Sequence, residues 1–207
     1  MDALERQPSR HGLPTIANRA LGVLGILGGV MLLAIWAPAF PWSVDLLNPL
    51  RLVLFNAGAI AIVYAVHRRQ ATIARRASLA AAVPAILANA WYLATVIVAI
   101  GRPQFPEPDP GFRPIFFYAA IALWLTDAAF GLVALRIGVV PRHAAFMLLI
   151  GSLLALTGVS GLGFTTGPFA AIIEPLTIVG VAIVGLGWIL LGLDLATRWR
   201  PSPVEPP

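Results

Sequence analysis

The segment "YAAIALWLTDAAFGLVALR", Tyr118 to Arg136, is apolar nearly throughout and carries an aspartate, Asp127, near its middle. In hydrocarbon an unaided acid costs about 2.5–3.5 kcal/mol on insertion scales. At about 100° per residue, the helical face of Asp127 holds Ala120, Leu123, Gly131 and Ala134, and the opposite face holds Tyr118, Leu125, Ala129 and Leu132. Small residues let helices approach closely in membranes, so Asp127 is expected inside a bundle. Asn89 and Ser152 fall at similar depth, counted from the ends of their own apolar runs, and either can hydrogen-bond a carboxyl. Asn56 is a further polar residue within a run. Asp127, Asn89, Ser152 and Asn56 therefore form a candidate intramembrane polar site. Its chemistry would be proton or cation binding, or a neutral carboxylic acid joining helices. No second intramembrane charge accompanies Asp127, which favours the joining role.

Other chemical candidates are weaker. Arg51 and Glu174 lie at similar depth near the opposite membrane face and form a candidate outer-surface ion pair, although Glu174 also suits a helix N-terminus by itself. Asp194 and Arg198, four apart, read as a surface pair. The string "GVSG", Gly158 to Gly161, resembles the G-x-S-G around the serine of rhomboid proteases, a family that also has a six-helix core. That resemblance implies a serine nucleophile with a histidine base on a neighbouring helix. The histidines are His11, His67 and His143, all near the arginine-rich ends of runs and none in the last span, so helix packing is the better reading. The same placement disfavours axial haem ligation. Cysteine is absent, and no H-E-x-x-H, phosphate loop or clustered acids occur. No catalytic residue, cofactor-binding residue, metal ligand or cofactor is therefore expected.

The elements that must hold these residues are membrane helices. The chain has 207 residues, of which 59% are hydrophobic and 11% charged, about half the charge fraction of a soluble domain. A bilayer core about 30 Å thick needs roughly 20 apolar residues. Six runs qualify, at residues 20–39, 49–67, 77–100, 114–136, 143–165 and 172–196. The expected fold is all-α: a polytopic integral membrane protein of six transmembrane helices in one domain spanning 1–207. Short tails, about 1–16 and 200–207, are expected to be disordered. All fourteen basic residues are arginine. Eleven fall at the N-terminus, the second and fourth loops and the C-terminus, against Arg51, Arg102 and Arg113 on the other side. The positive-inside rule then puts both termini in the cytoplasm, in a bacterial inner (plasma) membrane. The same alternation makes the net charge of +5 a topology signal, so no nucleic acid is expected as a partner. A competing reading, a signal peptide ending at "APA", requires an apolar core shorter than the run from Ala20 to Ala37.

Each outward-to-inward run opens with a polar residue, a proline and an aliphatic: "NPL" at Asn48, "RPI" at Arg113, "EPL" at Glu174. Each closes on arginine. This is the pattern of three helical-hairpin repeats, although the preferences of proline for first turns and of arginine for cytoplasmic ends produce every match separately. Glycines at Gly25 and Gly29, and at Gly180, Gly185, Gly187 and Gly192, mark close-packing faces, within the bundle or toward a homo-oligomer or membrane-complex partner. The lipid bilayer is the one partner expected outright. The expected function is a small non-catalytic membrane protein with an accessory, stress-related or scaffold role. The alternative is a small ion- or proton-coupled transporter using Asp127, and a lesser one is an intramembrane enzyme.

Overall fold

The structure is a computed structural model that describes residues 15–35, 47–100, 113–161 and 170–197, with the side chains of 158–161 and of Glu174 among those not described. Among the described residues it is all-helical, with no strand. The five helices are α1 (Thr15–Ile35), α2 (Leu47–Ile100), α3 (Arg113–Ile137), α4 (Arg142–Gly161) and α5 (Ala170–Thr197). Four contain stretches long and apolar enough to cross a membrane: Ile16–Ala34, Leu50–Ile100, Pro114–Ile137 and Pro175–Thr197. In α4 the apolar part, Arg142–Thr157, is shorter. The outward faces carry many large apolar side chains. Leu27, Leu87, Trp91, Tyr118, Leu125, Leu153 and Leu193 are all exposed. A helix that is apolar all round is at home in lipid, so the chain has the surface of a transmembrane protein.

α2 departs most from the expected segmentation. The arginine-bearing stretch 68–76, expected as a loop, is helical except at Ala74, whose φ of −138° and ψ of 62° are not. His67 Nδ1 lies 2.8 Å from Ser78 Oγ. Eleven residues of straight helix would separate the two backbones by about 16 Å. The chain therefore doubles back at Ala74, and α2 consists of two arms. Ser78 Oγ also donates to Gln70 Oε1 at 3.0 Å, and both Ser78 and Gln70 are fully buried.

The helices close a ring: α1 packs on α2, α2 on α3, α3 on α4, α4 on α5, and α5 on α1. Glycine makes the closest approaches. A Cβ on Gly22 would stand 2.6 Å from the carbonyl oxygen of Gly192, and one on Gly29 would stand 2.5 Å from that of Gly185. The partners are antiparallel, and the spacing is seven on both helices. Seven residues return to the same face within about 20°. α5 presents a second row with the same spacing, Gly180 and Gly187, to α4. The Gly25 and Gly29 pair singled out in the sequence is divided between two interfaces: Gly25 meets Ile62 of α2, and Gly29 meets α5. A four-residue step turns about 40°, enough to reach a different neighbour.

The connection from α3 to α4 is short and fully specified. Gly138 has a φ of +72°, and its N–H donates to the carbonyl of Ala134 at 3.1 Å. This is the left-handed cap that ends a helix on glycine. The carbonyl of Pro141 then accepts from the N–H of Ala145 at 3.1 Å to start α4.

Candidate functional site

Asp127 is completely buried on α3. Ala120, Leu123, Gly131 and Ala134 are buried with it, while Tyr118, Leu125, Ala129 and Leu132 are exposed. Asn89, on the second arm of α2, donates its amide to Asp127 Oδ1 at 3.0 Å and to the carbonyl of Ala85 at 2.9 Å. Asn56, on the first arm, donates to the carbonyl of Leu52 at 2.7 Å. Those contacts orient both amides, because a flipped group would set carbonyl against carbonyl. Asn56, Asn89 and Ser152 are also fully buried. Each of these four residues leaves one oxygen without a hydrogen-bond partner among the described residues: Asp127 Oδ2, Asn89 Oδ1, Asn56 Oδ1 and Ser152 Oγ.

Helix register puts the four residues at one level. Asn56 lies eleven residues before His67, and Asn89 eleven after Ser78. Eleven residues make about three turns, a rise of about 16 Å, so the two asparagines repeat the faces of the His67–Ser78 contact about half a bilayer core deeper. On the other side of Asp127, Gly131 approaches the backbone of Ala145 and Leu149 and the Cβ of Leu148. One turn back from Gly131 is Asp127, and one turn on from Leu148 is Ser152. Because α3 and α4 are antiparallel across a short turn, those positions oppose each other. Aromatic pairs flank this level along the bundle axis. Phe55 and Trp124 lie 6.4 Å apart at ring centroids on one side, and Phe130 stacks on Trp188 at 6.5 Å on the other. All four rings are buried.

The remaining candidates fall elsewhere. Arg51 is buried and donates from Nη1 to the carbonyl of Ala34, in the last turn of α1, at 3.4 Å. The Glu174 side chain, and with it the proposed pair to Arg51, lies outside the described residues, as does the serine side chain of "GVSG". Arg198 is also outside them. The expected Asp194–Arg198 pair therefore lies outside the described residues, and Asp194 is bridged by Arg69 of α2, Nη1 to Oδ2 at 2.8 Å. Sequence reading missed this pair, since a local partner four residues away obscured one 125 positions distant. It missed the His67–Ser78–Gln70 cluster as well, although three polar residues at the end of an apolar run were a visible signal. His143 is exposed. Among the described residues no group of three or more His, Cys, Asp or Glu side chains could hold a metal ion.

No family model, no curated protein and no solved structure matches this chain.

Proposed function

We propose that the protein is a non-catalytic integral membrane protein that crosses the bilayer six times and serves as an accessory or scaffold element, with both termini in the cytoplasm. The reversal at Ala74 supports six crossings, since each arm of α2 is long enough to cross separately. The observation that carries the scaffold reading is the use of the glycine rows. α1, α4 and α5 meet backbone to backbone along Gly22, Gly29, Gly151, Gly180, Gly185 and Gly192, an arrangement that suits a fixed bundle. Those glycines are covered within one chain, so a second copy or a membrane partner would dock on other faces.

A second reading is favoured by the four unpartnered oxygens around Asp127: a small ion- or proton-coupled carrier. Flux separates the two. Purified protein in proteoliposomes under an imposed sodium, potassium or proton gradient should show no flux above empty vesicles. Flux that Asp127→Asn abolishes would replace the scaffold by the carrier.

A further inference from the structure

We propose that Asn56, Asn89, Asp127 and Ser152 bind one monovalent alkali-metal cation at the centre of the bundle. The inference deepens the carrier reading but does not depend on it, since a cation can be held without being moved.

The argument rests on which atoms are free. Both hydrogens of the Asn89 amide are used, on Ala85 and on Asp127, and the Asn56 amide donates to Leu52. What is left is two amide carbonyl oxygens, one carboxylate oxygen and one hydroxyl. Three of these are acceptors, and the hydroxyl can present a lone pair. Buried acceptors without donors are costly. Without a cation, the donors would be a protonated Asp127, the Ser152 hydroxyl and the second N–H of Asn56, yet none of these meets any of the four oxygens, which are all unpartnered. A cation at this level can take lone pairs from several of them at once. Hard oxygen ligands suit alkali and alkaline-earth ions rather than transition metals.

Charge selects between those two groups. Asp127 is the single acid at this level, and Arg51, the nearest arginine along the first arm, is more than one turn outward and directed to Ala34. One carboxylate and one monovalent cation sum to zero, whereas a divalent ion would leave a net charge in low dielectric. The buried aromatic pairs Phe55–Trp124 and Phe130–Trp188 bracket the level with apolar rings, and the Trp188 indole N–H is the one further unpartnered polar atom they bring. Low local dielectric strengthens ion–dipole attraction to the asparagine carbonyls.

The test uses the full chain, purified in detergent. Thermal unfolding is followed in sodium, potassium and choline chloride at equal ionic strength, and equilibrium binding with radiolabelled sodium and rubidium. The expected result is a saturable rise in Tm with sodium or potassium over choline, with one cation bound per chain. Asp127→Asn should abolish the rise and the binding. Ser152→Ala should retain the fold and shift the binding midpoint at least several-fold. Equal Tm in all three salts with no bound label would overturn the proposal, leaving a neutral carboxyl as the occupant's equivalent. Saturable stabilisation by calcium but not by monovalent ions would overturn the charge argument. Cation binding without flux would count against the carrier alone.

Discussion

Asp127 shows how an expensive residue is accommodated. Its carboxyl faces other helices, and Asn89 meets it from the second arm of α2. The face was legible in the sequence because small residues recur beside Asp127 at helical spacing while large ones lie opposite. The level of Asn89 was legible too, because each residue can be counted from its own helix end. Which partner the carboxyl would contact was not, since Asn89 and Ser152 are equally deep and the choice depends on how the helices rotate against each other. The Asn89 contact has a testable weight. Asp127→Leu removes one intramembrane hydrogen bond and should cost about 1–2 kcal/mol in unfolding by SDS titration. Asp127→Asn keeps a group that can accept from Asn89 and donate to an unpartnered oxygen, and in choline chloride, without an alkali cation, should unfold within about 0.5 kcal/mol of wild type. A leucine variant as stable as wild type would mean that the contact contributes nothing to the fold.

At the scale of elements, glycine positions act in two distinct ways. At Gly192 the constraint is space: a Cβ would meet the backbone oxygen of Gly22 at 2.6 Å and the amide nitrogen of Ile26 at 2.9 Å. At Gly138 the constraint is backbone conformation: φ is +72°, and a Cβ would have open space. Gly192→Leu should therefore destabilise by about 1–3 kcal/mol or more through overpacking, and no polar replacement should rescue it. Gly138→Ala should cost about 1 kcal/mol, and Gly138→Asn should recover most of it because asparagine tolerates the left-handed region. Equal behaviour of asparagine at both positions would refute the distinction. The reversal at Ala74 is a different case. The stretch "QATIARRAS" has neither glycine nor proline, so nothing local announces a turn. What holds it is tertiary, His67 and Gln70 on one arm meeting Ser78 on the other. Ser78→Ala would strip the Gln70 oxygen of its donor while the Gln70 amide nitrogen already lacks a partner. A loss of about 1–3 kcal/mol is expected, and cleavage by a protease specific for arginine should become faster at Arg75 and Arg76 than at Arg136.

For the whole molecule, the proposal of six crossings turns on α2. A straight helix of its 54 residues would run about 80 Å, more than twice the bilayer core of about 30 Å. Folded at Ala74, the same residues make two arms of about 40 Å or less, each matched to one crossing. The arginines Arg68, Arg69, Arg75 and Arg76 then lie together at the turn, and Arg69 reaches Asp194 near the C-terminal end of α5. That bridge ties the turn of α2 to the end of the last helix. It also requires both to be on one side of the membrane, as the arginine distribution does independently. The class of fold and its apolar runs were readable from composition and length. The closure of the ring was not, because it depends on Gly22 facing Gly192 and Arg69 facing Asp194, pairs that no local pattern connects. The chain has no cysteine, so single cysteines report on sidedness cleanly. At Ser43, Gln104 and Thr166 they should react with an impermeant maleimide in intact cells. At Thr72, Gly138 and Ser202 they should react only after permeabilisation. If the second arm of α2 did not cross, Thr72 would change sides relative to Gly138, and if the first arm did not, Thr72 would share the side of Ser43. External labelling at Thr72 with protection at Gly138 would therefore exclude the six-crossing arrangement, whatever the orientation of the termini.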